Sequence, residues 1–273
     1  MAYNDELGRR MKENYEKISQ TKLMRRTPVA IRIDGKAFHS FTKGFKRPFD
    51  EILIKSMQET MKYLCENIQG CVLGYTQSDE ITLILQDYKT LTTEAWFNYE
   101  VQKICSVSAS MATMAFNKFF TDNYKEWVKK VIPENKLMDS VNLLDYKNEL
   151  ILSTAYYKSI IKGAQFDSRC FNIPKEEVTN LLLWRQLDAM RNSIQMVGRA
   201  NFSHRELHGK NTSQIDEMLL VRGIDFSTYP IYQKCGSCCI RDDEGHWFID
   251  KEIPMFKSEG REYVERLINC EEE

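Results

Sequence analysis

Two β-type runs, Cys71–Thr76 and Ile81–Leu85, are separated only by the polar tetrapeptide Gln77–Glu80. Parallel strands need a crossover of a dozen or more residues between them, whereas antiparallel strands can be joined by a tight turn. The two runs are therefore predicted to form an antiparallel hairpin. Any fold proposed for this chain has to contain an antiparallel sheet.

The segments around the hairpin alternate between strand and helix patterns. A β-type run follows Pro28 and stops at Asp34-Gly35, a helix begins at the N-cap Asp50 and ends at Gly70, a long helical stretch covers 94–120, and a strand covers 166–173. The order from 28 to 173 is β, α, β, β, α, an insertion, then β, which is the split βαβ pattern of a ferredoxin-like sheet. We therefore predict an α+β fold with a polymerase-palm-like antiparallel sheet packed with helices.

Both ends of the chain add further elements to this core. Apolar residues at Leu7, Met11, Tyr15 and Ile18 have helical spacing and predict an amphipathic helix over 5–19. Beyond the core, Pro174 opens a helix, and the tail is typical of a strand pair followed by a helix. We expect one compact catalytic unit over 1–273. It would have a palm-like core at 28–173 with an insertion at 121–165, and a C-terminal helical and β-hairpin extension at 174–273.

The composition is that of a folded protein with a sizeable core. The chain has 273 residues, 42% of them hydrophobic and 28% charged, with a formal net charge of −1. No apolar run approaches the ~20 residues of a membrane helix, and the charged first twenty residues do not resemble a signal peptide. We expect a cytoplasmic protein with no membrane partner, whose eight cysteines stay reduced. Any surface for nucleic acid must be a local basic patch.

Three carboxylates are predicted to meet at one edge of the sheet. Asp34 ends the first strand, and Asp79 and Glu80 lie in the hairpin connection. Oxygen-rich clusters suit hard cations, and Mg²⁺ typically takes one or two carboxylates and completes its shell with water and phosphate oxygens. Two ions ~3.5–4 Å apart could clamp both the attacking and the leaving oxygens of a nucleotidyl transfer.

The residues after Asp34 form a candidate nucleotide cradle. Gly35 has no side chain, so that a phosphate or a metal can approach its peptide closely. Lys36, Ala37, Phe38 and His39 then supply successive backbone N–H groups and a cation for a triphosphate. Asp34-Gly35 alone is more often a plain turn, and Asp79-Glu80 alone a solvated hairpin tip. Their shared edge favours metal-dependent nucleotidyl transfer, although likeness of fold is a weak argument for function.

Four ordered motifs resemble the tRNA-histidine guanylyltransferase superfamily. They are Arg32–His39, Tyr75–Glu80, Phe166–Arg169 and Trp184–Gln186 followed by Asp188. The likeness extends in family order from Leu7 to about Asp242. It implies a reverse polymerase, which adds nucleotides to the 5′ end of a tRNA. A 5′-monophosphate end is first activated with ATP or GTP and then attacked by the 3′-hydroxyl of an incoming nucleoside triphosphate, after which pyrophosphate is lost.

The resemblance also implies roles for individual residues. Asp34, the Gly35 carbonyl and Asp79 would hold two Mg²⁺ ions, and Glu80 is the next acid of the motif. The backbone contacts to triphosphate fall on Lys36, Ala37, Phe38 and His39, helped by Ser78, and Lys103 matches a basic position that faces phosphate. It also suggests a homotetramer.

The chain departs from the family at two places. The branch that adds only G to histidine tRNA carries His-Ile-Asn-Asn where this chain has Met190–Ser193. The chain is therefore more similar to the guanylyltransferase-like branch, which repairs 5′-truncated tRNAs by Watson–Crick templating. Tyr99 and Glu100 stand where the family has paired arginines, so that anchoring of the triphosphate or the tRNA end must differ locally.

Basic residues with interleaved aromatics are candidates for tRNA contacts, although most such runs are solvated surface. The candidates are Arg185, Arg191, Arg199 and Lys210.

Zinc is a further alternative, because His204, His208, Cys235 and Cys238 have spacings not far from those of structural sites. A hairpin with buried thiols explains the cysteines equally well.

Other functions remain open beside templated repair. They are strict G addition to histidine tRNA, tRNA binding without catalysis, and synthesis of a cyclic nucleotide on the same palm.

Overall fold

One antiparallel sheet organises the protein. The computed structural model describes residues 5–131 and 143–269. The strands are β1 (Val29–Gly35), β2 (Cys71–Gln77), β3 (Glu80–Leu85), β4 (Phe166–Asn172), β5 (Ser237–Arg241) and β6 (Trp247–Asp250). They lie in the order β4-β1-β3-β2-β5-β6, and every neighbouring pair is antiparallel. β3 separates β1 from β2, as the split βαβ pattern predicts, so the α+β palm-like fold is confirmed.

Helices cover both faces of this sheet. Those of the described residues are α1 (Glu6–Met11), α2 (Phe38–Phe41), α3 (Glu51–Asn67), α4 (Val101–Val131), α5 (Leu143–Lys162), α6 (Lys175–Asn201), α7 (His204–Leu207), α8 (Thr212–Val221), α9 (Ile231–Cys235) and α10 (Glu262–Ile268). None of them is both long enough and apolar enough to pass through a bilayer.

The crossover from β1 to β2 forms as its residues predict. The Asp50 carboxylate accepts a hydrogen bond from the Leu53 N–H at 3.0 Å and caps α3. Gly70 then turns the chain with a φ of +79°, and a side chain there would meet the Gln86 carbonyl. These two residues fix where the helix begins and how the chain enters β2.

Strand alternation sends two different sets of residues to the two faces. Val29, Ile31 and Ile33 point to a large core under α3 and α4. Ala30 packs instead on the side of α6 and α10, among Val178 and its apolar neighbours. On that second face the β1 positions that follow are Arg32 and Asp34, so the face changes from apolar to charged toward one end of the sheet.

The long helix begins later than the sequence predicts. Residues 96–99 form a 3₁₀ turn, and Phe97, Asn98 and Tyr99 have φ values near +50°. The prediction of a helix from residue 94 is therefore wrong, and α4 runs instead from Val101 to Val131. The cause is tertiary: Tyr99 is buried in the core, and its carbonyl accepts a hydrogen bond from the Leu23 N–H at 2.9 Å.

The segment that the sequence marks as an insertion, 121–165, contains the end of α4 and all of α5. The hydroxyl of Tyr156 in α5 donates to Asp50 Oδ2 at 2.6 Å, and its ring packs edge-on against Phe45. Through Tyr156 this segment contributes to the same core as α3.

The N-terminal segment is helical through Ser19, as predicted, although α1 continues through a π turn at Lys12–Glu16 and a 3₁₀ turn at Lys17–Ser19. Its apolar side is not covered by the other residues that the structure describes. Leu7, Tyr15 and Ile18 are 62%, 68% and 75% exposed. The amphipathic pattern thus leaves an apolar surface open.

Candidate nucleotidyl-transfer site

Hairpin register brings the predicted carboxylates to one edge of the sheet. Asp34 lies opposite Glu80 in the β1–β3 pairing and opposite Asp167 in the β1–β4 pairing. Asp79 occupies the turn between β2 and β3, and its carbonyl accepts a hydrogen bond from the Gly35 N–H at 3.1 Å. This bond ties the end of β1 to the hairpin turn.

The environment of Asp79 disfavours the ionised form of its carboxyl group. Burial raises the pKa of its carboxyl, and the nearby charge of Asp34 raises it further. A hydrogen bond from the Ser78 hydroxyl to Asp79 Oδ1, at 3.0 Å, opposes the shift. Two acids that repel each other in a partly buried place would both be stabilised by a cation between them.

The Glu80 carboxylate forms a salt bridge with an arginine. Arg185 of α6 donates from Nε to Glu80 Oε1 at 2.7 Å and from Nη2 to Oε2 at 3.0 Å, and both side chains are only 8% exposed. Burial raises the pKa of Glu80, and the charges of Arg185 and Arg32 oppose the rise. Glu80 therefore anchors α6 to the hairpin, and neither of its oxygens is free to bind a metal alone.

This position of Arg185 differs from the exposed RNA contact that the sequence suggested. Its guanidinium also bonds Asp188 Oδ2 at 3.1 Å and lies 4.6 Å from the ring centroid of Trp184. The sequence contains a pattern that predicts burial of this arginine: Leu182 and Ala189 lie three and four residues from Arg185, which places all three on the inward side of α6.

The turn after Gly35 exposes its backbone and buries one ring. Ala37 has a left-handed φ of 54°, and α2 begins at Phe38. The Phe38 ring packs 5.1 Å from Phe166 between ring centroids, and a Cβ at Gly35 would lie 2.3 Å from the Phe38 ring. Lys36, Ala37 and His39 are exposed, whereas the Phe38 side chain packs in the core. The Lys36 N–H donates to the Gln165 carbonyl, so the main-chain N–H groups that this segment can offer to an anion are those of Ala37, Phe38 and His39.

The structure separates Lys103 from this edge. Near its start, α4 contacts the far end of β4, where Cys105 meets Cys170. It reaches the end of β4 at the acidic edge two turns later, where the Thr113 hydroxyl accepts from the Phe166 N–H. The Lys103 amine lies 4.9 Å from the centroid of the Phe97 ring. Tyr99, at the position of a family arginine, is buried. The proposed phosphate contact of Lys103 stays a prediction.

The other basic candidates are on the surface. Arg191 faces Asp188 at 4.0 Å, and Arg199 donates to Gln195 Oε1 at 3.3 Å. Lys210 lines an open cavity of about 400 Å³ together with Phe202 and Arg222. Their contacts with tRNA stay predictions.

The zinc alternative gains no support from the arrangement of its residues. The rings of His204 and His208 lie 6.2 Å apart, while Cys235 and Cys238 are buried. Within 5–131 and 143–269, no three histidine, cysteine or acidic side chains are grouped to hold a metal. This includes the acidic edge, where a bound ion would need oxygens from substrate and water besides those of the protein.

A palm-like sheet with paired acids at its edge is the arrangement expected of a nucleotidyltransferase of the palm type. Residues 8–174 match the family model described as tRNAHis guanylyltransferase (Thg1). The chain belongs to this family.

Solved structures of similar proteins agree with this assignment. A bacterial tRNA(His) guanylyltransferase (Thg1)-like protein in complex with ATP is 38% identical, with a TM-score of 0.77 over 97% of this chain and 99% of that one. One in complex with GTP is 36% identical, with a TM-score of 0.73 over the same shares of both chains. The tRNA(His) guanylyltransferase of Saccharomyces cerevisiae is 28% identical over 79% of this chain and 83% of its own length.

Proposed function

We propose that this protein adds nucleotides in the 3′–5′ direction to the 5′ end of tRNA, guided by pairing with the opposite strand, and so repairs 5′-truncated tRNAs. The observation that carries the proposal is the acidic pair Asp34 and Asp79 beside the turn Lys36–His39, whose residues other than Phe38 are exposed. The similar bacterial proteins were solved in complex with ATP and with GTP, which supports nucleotide binding by a protein of this fold.

Two Mg²⁺ ions fit the donors at this edge. Asp34 and Asp79 offer hard carboxylate oxygens, and the raised pKa of Asp79 is what a site built around a cation would show in its absence. The Gly35 carbonyl is the third proposed protein ligand. Bound Mg²⁺ would neutralise charge on phosphate oxygens and lower the barrier to transfer.

The protein's residues would orient two phosphate groups for each transfer. In the activation step an oxygen of the RNA 5′-phosphate attacks the α-phosphorus of ATP or GTP, and pyrophosphate leaves. In the addition step the 3′-hydroxyl of an incoming NTP attacks the 5′-phosphorus of the RNA, and the nucleoside monophosphate leaves. The backbone N–H groups of Ala37, Phe38 and His39, with Ser78, would hold the triphosphate. Lys36 would contribute the charge of its side chain, because its N–H already donates to the Gln165 carbonyl. Its later hydrolysis with water releases pyrophosphate and leaves a new 5′-monophosphate.

Templated repair is favoured over strict G addition by the residues at 190–193. Met190, Arg191, Asn192 and Ser193 lie on α6, one to two turns beyond the buried Arg185. Arg191 and Asn192 are exposed there and can meet RNA without the His-Ile-Asn-Asn sequence of the histidine-specific branch. Arg199 and Lys210 extend the basic surface for the acceptor end.

We also propose a homotetramer in the cytoplasm. The open apolar side of the N-terminal segment, defined by Leu7, Met11, Tyr15 and Ile18, offers one contact surface between subunits. The described cysteines are free thiols, as in a reducing compartment.

The deciding experiment supplies Mg²⁺, all four NTPs and a 5′-triphosphorylated tRNA that lacks its first nucleotide, and sizes the product on a gel. We expect addition of the nucleotide complementary to the opposing base, loss of addition in Asp79→Asn, and full activity in the surface control Asp243→Asn. Addition of G whatever the opposing base would indicate the histidine-specific reaction. Tight RNA binding with no extension would favour the non-catalytic alternative, and cyclic product from NTP without RNA would favour the cyclase.

A further inference from the structure

Two arginines face each other beside the acidic edge. Arg32 of β1 and Arg169 of β4 are direct partners in the strand pairing, one pleat before the pair Asp34 and Asp167. Cross-strand partners project to the same face, which is here the face covered in part by α6. Like charges placed directly opposite destabilise a sheet unless an anion lies between them.

Arg32 has unused hydrogen-bonding capacity. Its Nε is buried and has no hydrogen-bond partner among the described residues. The nearest carboxylate oxygen, Glu80 Oε2, is 3.8 Å away and already accepts from Arg185. Burying a donor of a charged group without a partner costs free energy. Binding of a ligand that carries an acceptor would remove this cost, since the described residues provide no acceptor for the Arg32 Nε.

Arg169, the strand partner of Arg32, is accessible to solvent. Its guanidinium donates to Asp167 Oδ1 at 3.0 Å, and the two side chains are 50% and 58% exposed. β4 is the outer strand of the sheet, so a ligand can reach Arg169 from its free side. Because Asp167 is itself exposed, the guanidinium can exchange this carboxylate for another anion.

The two arginines and the Lys36–His39 turn lie on either side of Asp34 along β1. Nucleotidyl transfer brings two phosphate-bearing molecules to one centre, and the turn is already assigned to the triphosphate of the NTP. We propose that Arg32 and Arg169 form a second phosphate subsite, which binds the 5′-terminal phosphate of the RNA. The inference rests on the proposed function and names its second substrate group.

The test measures binding without divalent metal, so that it does not depend on turnover. A tRNA acceptor-stem hairpin lacking its first nucleotide is prepared with a 5′-hydroxyl, a 5′-monophosphate or a 5′-triphosphate, and its Kd is measured by fluorescence anisotropy. We expect wild-type protein to prefer the phosphorylated ends by about tenfold, the size of one charge-assisted hydrogen bond. Arg169→Gln should reduce the preference to less than about threefold, and Arg169→Lys should restore part of it.

The control is Arg241→Gln, which removes an exposed strand arginine on the other side of the sheet. Equal binding of all three hairpins by wild-type protein would overturn the proposal, as would an equal loss of preference in both glutamine variants. Weaker ATP binding in Arg169→Gln, with the RNA preference intact, would assign the subsite to the NTP and also overturn it. A preserved RNA preference in a wild-type protein that adds no nucleotide would refute the proposed function but not the subsite.

Discussion

Two adjacent acids of the hairpin both have a raised pKa but differ in the charges around them. Asp79 is partly buried near Asp34, and the charge of Asp34 adds to the burial that raises its pKa. Glu80 is also buried, but Arg185 and Arg32 oppose the rise of its pKa. The Asp79 carboxyl thus has no cationic partner among the described residues, whereas the Glu80 carboxylate is paired with Arg185 inside the protein. The difference separates a proposed metal ligand from a residue that holds the fold.

Asp79→Asn is expected to keep or raise the stability of the metal-free protein. A raised pKa means that the ionised carboxyl is less stable folded than unfolded, so the stability of wild-type protein declines as pH rises through this pKa, above the usual aspartate range. The variant lacks that decline. Thermal unfolding from pH 4 to 8 without divalent cations measures both effects.

Added Mg²⁺ should raise the Tm of wild-type protein and of Asp243→Asn but not that of Asp79→Asn. A Tm of Asp79→Asn well below that of wild type at pH 7, or the same Mg²⁺ response in all three proteins, would contradict this assignment.

Arg185→Gln is expected to lower the free energy of unfolding by about 3 kcal/mol, because it leaves Glu80 buried without its hydrogen-bonded arginine and with only the more distant charge of Arg32. Glu80→Gln in the same chain should recover part of the loss. Urea unfolding of the single and double variants measures the coupling. The matched control is Arg191→Gln, which removes an exposed arginine 4.0 Å from Asp188 and should cost less than about 0.5 kcal/mol. Equal losses in Arg185→Gln and Arg191→Gln would show that the buried pair has no special role.

At the scale of elements, the end of β1 and the start of α2 act together. The Gly35 N–H is bonded to the hairpin turn, and the Lys36 N–H donates to the Gln165 carbonyl at 2.8 Å. Phe38 packs in the aromatic core with Phe116, at 5.5 Å between ring centroids. The exposed backbone of this segment is therefore held at both of its ends, as an anion-binding turn requires if it is to be formed before the ligand arrives.

Gly35→Ala is expected to weaken ATP and GTP binding and to cost about 1–3 kcal/mol of stability, because its Cβ would overlap the Phe38 ring. Equilibrium binding of a fluorescent ATP analogue and urea unfolding measure the two effects. Phe38→Leu removes ring atoms at the point of overlap, so the double variant should regain more nucleotide binding than Gly35→Ala. Unchanged nucleotide affinity in Gly35→Ala would exclude this segment from the nucleotide site.

For the whole molecule, the N-terminal segment carries apolar residues that nothing else in the described chain covers. Leu7, Tyr15 and Ile18 are largely exposed, in contrast to the closely packed residues beneath α3 and α4. Exposed apolar residues that share one side of a helix are typical of protein–protein contacts. This surface is the contact that we propose between subunits of the assembly.

The double variant Leu7→Gln/Ile18→Gln is expected to shift the protein to a smaller assembly, since it removes apolar area from a contact between subunits. Size-exclusion chromatography with light scattering gives the mass of each species. Leu220→Gln, which alters an exposed leucine of α8, is the control and should not change the mass. A wild-type monomer, or an unchanged mass in the double variant, would reject this surface as an interface.

The sequence by itself determined the order of the elements and the place of the acidic edge. The short hairpin connection, the Asp50 cap and the stop at Asp34-Gly35 are local signals, because turns and caps depend on a few neighbouring residues. The placement of β3 between β1 and β2 is the one that the split βαβ pattern of the element order predicts. These features were predicted without knowledge of any distant contact.

Only the tertiary structure decided what each charged residue meets. Arg185 bonds Glu80, which is 105 positions away in the chain, and Arg32 faces Arg169 on another strand. The late start of α4 has the same origin, since burial of Tyr99 and its bond to Leu23 override the helical pattern. The physical reason is that burial and long-range pairing set the energy of a charge or a ring, and neither is contained in the residues next to it.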